Sequence, residues 1–312
     1  MREYMLKLIH SAHQGINSSI RLAKTTVFWP NMQNDIEKYI GQCNICLSYR
    51  RNNSKEPIMQ HEYENIPWYK IGIDIFEFER TKYLMVVDYY SKYIELAKLT
   101  SGYAASQVIT HLKSILARHG ICRIAITDNG SPFNSKEFKL FTQEWDIKHI
   151  TSSPYLSRSN GLVERTIGTI KNMLIKCKTD KSDMYLALLL YRNTPKQSQY
   201  SPAELCMSRK LRTVLPTGKE NLLPKLCDMN KIKKLNEKQK SYTKFYYNKH
   251  TKMLKPLHIG DKILFKHKPE HKKWVPGVII QIGPEPRSYL INSDLGQFRR
   301  NRQFIIKQSV YT

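Results

Sequence analysis

The chain has 312 residues, 41% of them apolar, and its 51 lysines and arginines against 26 acidic residues give a formal net charge of +25. This length allows two or three domains, and the apolar content excludes a chain that cannot form a core. No run of about 18 apolar residues occurs, and the N-terminus, MREYMLKLIHSAHQG, has no signal-peptide pattern. The sequence therefore predicts a soluble intracellular protein with no membrane partner.

The excess positive charge is concentrated in the last third of the chain. Residues 204–312 carry 24 lysines and arginines against 8 acids, whereas residues 1–203 carry 27 against 18. A solvated basic surface is one explanation. The asymmetry favours a polyanionic partner, usually nucleic acid, because lysine and arginine neutralise phosphates.

Residues 1–50 have the helical spacing of a small domain whose core is too small for stability without a metal. His10 and His13 are three positions apart, which predicts that they share one face of a helix. Cys43 and Cys46 form a CxxC pair after 29 intervening residues. A CxxC pair alone, or two histidines alone, would be weak evidence. Together, two imidazoles and two thiolates predict a closed tetrahedral site for one Zn²⁺.

The next part of the chain predicts a linker and then an α/β domain. Residues 51–66 are polar and aperiodic, as in a linker, and residues 67–215 have the pattern of a mixed sheet with helices. Strands are predicted at 69–79, 83–90, 93–100 and 121–127. Helices are predicted at 104–119, 135–145, 160–177 and 183–193, with the short apolar segment IKHITSS between the second and third of them.

The remaining residues predict a basic tail with a small β-domain. Residues 216–255 form a basic linker with an exposed helix near 230–250, and residues 256–312 contain four or five short strands separated by turns. Such strands are typical of a small SH3-like β-barrel. Arg299, Arg300 and Arg302 lie in its RRNR motif. This motif could be a nuclear localisation patch, a DNA contact or plain surface, and contact with phosphate is favoured.

Three acidic residues are candidates for metal chemistry. Asp74 lies inside the apolar strand IGIDIF, where a charge is costly without a partner. Asp128 follows the strand CRIAI directly, at a strand end where ligand groups gather in α/β sheets. Glu164 lies near the start of an amphipathic helix and after a loop, and helix electrostatics alone would explain it. The spacing of 35 residues between Asp128 and Glu164 is weak evidence by itself.

The order of the motifs is more specific than any one of them. GIDIF, ITDNGSPF and SPYLSRSNGLVERTIGTIK occur in this order, with the His-Cys quartet before them and a basic barrel after them. The chain thereby resembles the integrases of retroviruses and long-terminal-repeat retrotransposons, most closely the Ty3/gypsy type. The resemblance implies an RNase-H-like catalytic core between a helical zinc-binding domain and a small β-barrel. LSR at 156–158 departs from the family pattern, as does Gly168, where some relatives have a DNA-binding lysine.

The resemblance also assigns residues. It implies that Asp74, Asp128 and Glu164 bind two Mg²⁺ (or Mn²⁺) ions and that the quartet binds one Zn²⁺. Contacts to DNA are implied for Asn129, in the turn after the second acid, and for Tyr155, Asn160 and Lys171.

The function implied is trimming of the 3′ ends of element DNA and joining of those ends to target DNA. The family implies double-stranded DNA as partner, a homo-oligomer that holds two ends together, action in the nucleus and chromatin contacts. A captured integrase that has lost activity and binds DNA or chromatin is the alternative. An RNase-H-type nuclease shares the metal chemistry, but the quartet and basic tail do not suit it.

Overall fold

The computed structural model describes residues 1–59, 64–100, 104–151, 161–196, 199–268, 270–283 and 286–308. The chain divides into two compact units. The first joins residues 1–56 with 250–312, and the second, the central unit, comprises residues 57–249. The predicted helical domain and the predicted barrel, which lie at opposite ends of the sequence, thus fall within one unit.

The central unit contains a mixed five-stranded sheet in the order β3-β2-β1-β4-β5. Strands β1 to β3 form an antiparallel meander, and β4 and β5 continue the sheet parallel to β1. The strands are β1 (Lys70–Phe78), β2 (Thr81–Asp88), β3 (Ile94–Leu99), β4 (Ile124–Thr127) and β5 (Lys148–Thr151). The helices are α5 (Ala105–His119), α6 (Lys136–Glu144), α7 (Gly161–Thr179), α8 (Met184–Asn193), α9 (Pro202–Met207) and α10 (Met229–Asn248). The predicted mixed α/β core is confirmed.

Strand β2 shows why this sheet is covered on both faces. Its residues Leu84, Met85, Val86 and Val87 are all fully buried, and successive side chains of a strand point to opposite faces. Leu84 and Val86 belong to the core that includes α5 and α6, whereas Met85 and Val87 belong to the core that includes α7 and α8. Each fully buried aliphatic side chain contributes roughly 1.5–3 kcal/mol, so the second of these cores, which includes Val163, Ile170 and Leu174, fixes α7 firmly against the sheet.

The first unit contains a helical part and a strand part. Its helices are α1 (Arg2–Ile9), α2 (Ile16–Thr26), α3 (Met32–Gln42) and α4 (Asn44–Ser48). Its strands are β6 (Lys262–Phe265), β7 (Val275–Ile282), β8 (Ser288–Ser293), β9 (Gly296–Asn301) and β10 (Ile305–Lys307), which pair antiparallel in the order β10-β6-β7-β8-β9. The five strands agree with the four or five that the sequence predicts.

The contacts between α4 and the strand part explain why they belong to one unit. Leu47 packs against a buried cluster that includes Trp274. The backbone N–H of Trp274 donates to the carbonyl of Ser48 (2.8 Å), and its indole Nε1 donates to the carbonyl of Arg50 (2.7 Å). Asn53, predicted as linker, donates from Nδ2 to the carbonyl of Ile305 at 2.8 Å. The first part of the predicted linker is therefore bound to the strand part of the first unit rather than free.

Candidate metal centres

The pairing of β1 with β4 brings two of the predicted acids to the same level of the sheet. In the parallel register Gly72 lies opposite Ile126, and Asp74 and Asp128 each follow two positions later. Neighbouring strands are about 4.8 Å apart, so the two carboxylates start from adjacent backbone positions. Glu164 lies in the first turn of α7, which packs on β1 and β2. The three acids converge although they are far apart in sequence.

The electrostatics of Asp74 show that the other two acids act on it. Burial is the main cause that raises the pKa of Asp74 from 3.8 to about 6, and the charges of Asp128 and Glu164 raise it further. A hydrogen bond from the N–H of Ile75 to Oδ1 (2.7 Å) and the charge of Lys171 oppose this rise. Asp74 is half-buried, whereas Asp128 and Glu164 are exposed. The site is thus an acidic edge that would attract cations.

The turn after Asp128 is shaped around its carboxylate. The N–H of Gly130 donates to Asp128 Oδ1 at 3.2 Å. A Cβ at position 130 would lie 3.0 Å from Asp128 Oδ2 and 3.3 Å from Oδ1, so any larger residue would crowd the carboxylate. Asn129, between them, is exposed. The DNG motif therefore has a local structural role as well as any contact with a ligand.

A second pair of residues, which the sequence did not reveal, supports the backbone of Asp128. His149 on β5 makes a 2.8 Å hydrogen bond through Nε2 with Thr127 Oγ1, and Thr127 Oγ1 donates to the carbonyl of Asp128 at 2.6 Å. Burial, with a smaller effect of Lys139, lowers the pKa of His149 to about 4. The imidazole is therefore neutral at pH 7. Because Thr127 donates its hydroxyl proton to the carbonyl of Asp128, Nε2 of His149 must carry a proton and donate it to Thr127 Oγ1. These two hydrogen bonds in series fix the peptide after Asp128.

The predicted DNA contacts of the core have different outcomes. Lys171 is half-buried, with its Nζ 5.5 Å from the ring centre of Phe76, and its charge acts on Asp74. It therefore lies beside the acidic edge, and its contact with DNA stays a prediction. Tyr155 and Asn160 lie outside the described residues.

The structure argues against phosphate contacts for two of the three barrel arginines. Arg300 is 6% exposed, and its guanidinium donates to the carbonyls of Lys266 and His267. Arg302 is 7% exposed and donates to the carbonyls of Lys255 and Ile305. These side chains tie strands and loops of the strand part together, because their charged groups would otherwise be buried without partners. Arg299 is half-buried.

The four residues predicted to bind zinc come together in the first unit. The ligand atoms of His10, His13, Cys43 and Cys46 all lie within 4.8 Å of one another. His10 Nε2 and His13 Nδ1 are 3.3 Å apart, and Cys46 Sγ is 3.2 Å from His10 Nε2 and 3.6 Å from His13 Nδ1. Tetrahedral bonds of about 2.0 Å to nitrogen and 2.3 Å to sulfur give separations of about 3.3 Å and 3.5 Å. This donor set and its spacing fit a Zn²⁺ ion.

The way the two histidines meet differs from the prediction. Helix α1 ends at Ile9, so His10 and His13 lie in the turn that follows and do not share a helical face. The N–H of His13 donates to the carbonyl of His10 (2.9 Å), and His13 has a left-handed backbone with φ of 51°. Burial, and then the neighbouring Cys43, raise the pKa of the Cys46 thiol to about 11. A cation is therefore needed to hold this sulfur as thiolate.

The described residues contain no second group of three or more histidine, cysteine or acidic side chains with ligand atoms as close as those of the quartet. The carboxylates of Asp74, Asp128 and Glu164 thus converge less tightly. No helix among the described residues is long and apolar enough to cross a membrane.

Two regions of the chain, the first helices and the first part of the central unit, match known protein families. The family described as Integrase core domain matches residues 64–157, and the Integrase zinc binding domain matches residues 1–52. An uncharacterised protein of Caenorhabditis elegans is 31% identical over 287 residues, which cover 89% of this chain. The Gag-Pro-Pol polyprotein of Mason-Pfizer monkey virus is 33% identical over 140 residues, 45% of this chain. The matched regions are 22% and 8% of the lengths of these two relatives.

A solved structure is similar over almost the entire chain. A chain of the simian T-cell lymphotropic virus intasome matches 99% of this chain and 100% of its own length, with a TM-score of 0.63 and 18% identity. At this identity the likeness concerns the fold alone. Together with the family matches, it confirms the resemblance to integrases and the RNase-H-like class of the core.

Proposed function

Because the chain carries an integrase core domain together with an integrase zinc-binding domain, we propose that it trims the 3′ ends of a retrotransposon's DNA and joins them to target DNA. The observation that carries this proposal is the convergence of Asp74, Asp128 and Glu164, each of which bears on the charge of the site. Three carboxylates at one sheet edge are suited to phosphoryl transfer with divalent cations.

The chain's own residues would divide the work as follows. Asp74, Asp128 and Glu164 would hold Mg²⁺ or Mn²⁺ through their oxygens, and a bound cation would lower the raised pKa of Asp74. When bound, two such ions activate the attacking hydroxyl and stabilise the leaving oxygen of an in-line displacement. Lys171 would offset negative charge beside Asp74 and bind a phosphate. The hydrogen bonds that join His149 to Thr127 and Thr127 to the carbonyl of Asp128 would keep the turn after Asp128 in place.

The two proposed steps differ in the attacking group. Water attacks the phosphodiester in trimming, and the 3′ hydroxyl that trimming leaves attacks a target phosphate in joining. Neither step forms a covalent bond to the protein. The quartet of His10, His13, Cys43 and Cys46 would hold Zn²⁺ as a structural ion, since all four ligand positions are supplied by the chain.

The net charge of +25 supports double-stranded DNA as the partner. The joining of two ends requires that both are held at once, which supports action as a homo-oligomer. Nuclear localisation and chromatin contacts follow from the same function and are part of the proposal.

A strand-transfer assay tests this function. The full chain is incubated with Mg²⁺, a target plasmid and a labelled duplex that ends in the element's terminal sequence. Labelled plasmid is expected with the parent and not with Asp128→Asn, since the amide lacks the charge that holds a cation. If the chain is instead a captured, inactive integrase, the parent and Asp128→Asn would bind the duplex with the same affinity and neither would yield joined product. That result would contradict the enzymatic proposal.

A further inference from the structure

Helix α10 is anchored to the central unit by one of its faces. Ile232 is 1% exposed and packs in a buried cluster with Tyr90 and Leu205. The carboxylate of Asp228 accepts from the N–H of Lys231 at 3.0 Å and caps the helix start. With its orientation fixed in this way, the helix presents the opposite face to solvent.

That opposite face carries a continuous row of cationic and aromatic side chains. The row, called here the α10 stripe, follows three- and four-residue steps, so its members lie on one side of the helix. It comprises Lys231, Lys234, Lys238, Tyr242, Phe245 and the adjoining Tyr246, all of them exposed. At 1.5 Å per residue, the row from Lys231 to Phe245 is about 21 Å long.

The aromatic end of the stripe is unusual for a solvent-facing helix. Tyr242, Phe245 and Tyr246 are 60%, 67% and 55% exposed. The rings of Tyr242 and Tyr246 are 4.5 Å apart between centres, and those of Phe245 and Tyr246 are 5.3 Å apart. Three clustered exposed rings form an apolar patch of the kind that marks an interaction site.

The positive charge of α10 determines which kind of partner can bind to the stripe. α10 contains six lysines and one glutamate, so the same face of a second copy would be repelled. A polyanion is attracted instead. In duplex DNA the faces of the bases are stacked inside, whereas unpaired bases offer these faces to aromatic side chains while lysines follow the phosphates.

We propose that the α10 stripe binds an unpaired stretch of DNA, with bases on Tyr242, Phe245 and Tyr246 and phosphates along Lys231, Lys234 and Lys238. This inference rests on the proposed function, because trimming a 3′ end leaves the 5′ end of the opposite strand without its partner. The stripe would hold that freed strand away from the joining reaction.

Fluorescence anisotropy on the full chain tests the inference with three probes of one sequence: a blunt duplex, a duplex with a 5′ overhang and a single strand. The triple variant Tyr242→Ala, Phe245→Ala, Tyr246→Ala is expected to lose at least about tenfold in affinity for the single strand, since each stacked base contributes about 1–3 kcal/mol. Affinity for the overhang duplex should fall towards that of the blunt duplex, which should change less than about twofold. Tyr185→Ala, at an exposed tyrosine of α8, is the matched control.

The lysines have a separate readout. Changing Lys231, Lys234 and Lys238 to glutamine should make the salt dependence of single-strand affinity shallower by about 2 in slope, because each phosphate contact contributes about 0.7. Equal losses on blunt and single-stranded probes, no loss, or a triple variant that differs from the parent in sedimentation would overturn the inference. Anisotropy requires no catalysis. Failure of strand transfer with intact single-strand binding would therefore sink the proposed function, and the reverse result would sink this inference alone.

Discussion

The charge of Asp74 depends on its burial and on the neighbouring acids, and its titration can be observed through stability. Its pKa in the folded chain is about 6, mainly because of burial, against an ordinary value of 3.8. Between about pH 4 and 6 the folded protein holds a proton that the unfolded chain has lost, so stability falls as pH rises through this window. Above pH 6 the full penalty, about 3 kcal/mol, is present.

Asp74→Asn removes this penalty and keeps an oxygen that can accept from the N–H of Ile75. Without added divalent ions, the variant should therefore unfold at higher denaturant concentration than the parent at pH 7. The difference should disappear near pH 4, where the parent carboxyl is protonated. Urea titrations at both pH values give the comparison, with Asp294→Asn in an exposed turn as control. Equal stability of variant and parent at pH 7 would mean that Asp74 is not strained by burial and by the other acids.

Thr127 is expected to act on catalysis through the Asp128 backbone. Thr127→Val keeps the shape and removes the hydroxyl that joins His149 to the carbonyl of Asp128. The Mg²⁺ concentration for half-maximal strand transfer should rise about 10- to 100-fold, as for other residues that support ligands. Thr142→Val, at a buried threonine of α6 whose hydroxyl bonds within its own helix, should leave this concentration unchanged. A shift of the same size in both variants would reduce Thr127 to a packing role.

Among individual residues, the sequence predicted the three acids and the His-Cys quartet but not the residues that support the acids through hydrogen bonds. Asp74, Asp128 and Glu164 stand in motifs that can be read along the chain. The role of His149 arises only from the pairing of β5 with β4, which no local pattern specifies. Arg300 and Arg302 were misinterpreted for a similar reason, because a basic motif does not reveal whether its side chains point outward or into carbonyl groups of the same barrel.

Helices and strands followed the sequence where periodicity is strong. The long apolar run of β2 and the amphipathic pattern of α7 predicted their types correctly, with bounds that differ by a few residues. His10 and His13 were predicted to lie in a helix because a spacing of three residues suits a helix as well as a turn, and spacing alone does not distinguish the two. The left-handed backbone at His13 leaves no mark in the residue type.

Helix α4 links the zinc ligands to the strand part of the first unit, called the barrel in the sequence prediction, and this link predicts a change in metal affinity. Leu47 packs on the cluster that contains Trp274, whereas Ile45, on the same helix, is 54% exposed. Leu47→Ala should weaken Zn²⁺ binding about tenfold, because the order of α4 that Cys46 needs is partly supplied by the barrel. Ile45→Ala should bind Zn²⁺ like the parent. Competition with a coloured chelator measures both, and equal affinities would show that the barrel does not support the quartet.

At the scale of the whole molecule, the grouping of the two chain ends was beyond sequence analysis. The predicted boundaries separate residues 1–50 from residues 256–312, yet the structure joins them through contacts such as that of Trp274 with Arg50, 224 positions apart. Complementary packing between two distant segments has no sequence periodicity. The order of a helical segment, a mixed α/β core and a set of short antiparallel strands was nevertheless predictable from composition and motifs.

Removal of zinc should therefore affect more than the helical part. On chelation, backbone amide hydrogen exchange is expected to rise in α3, α4 and also in β6, which lies beside Trp274, while β1 and β2 of the central unit keep their protection. Cys46→Ser should reproduce this pattern without chelator. Faster exchange confined to residues 1–48 would contradict the coupling of the two parts within the first unit.

Glu164 is either a cation ligand, as proposed, or only a favourable acid at a helix start. One measurement distinguishes these two roles directly. Glu164→Gln is compared in strand transfer with Glu137→Gln, because Glu137 is likewise an exposed acid in the first turn of its helix, α6. Loss of a helix-start charge costs each variant at most about 1 kcal/mol of stability. With Mg²⁺, Glu164→Gln should lose several orders of magnitude in joined product while Glu137→Gln stays near the parent. A Glu164→Gln protein that joins DNA ends at the rate of Glu137→Gln would contradict the account.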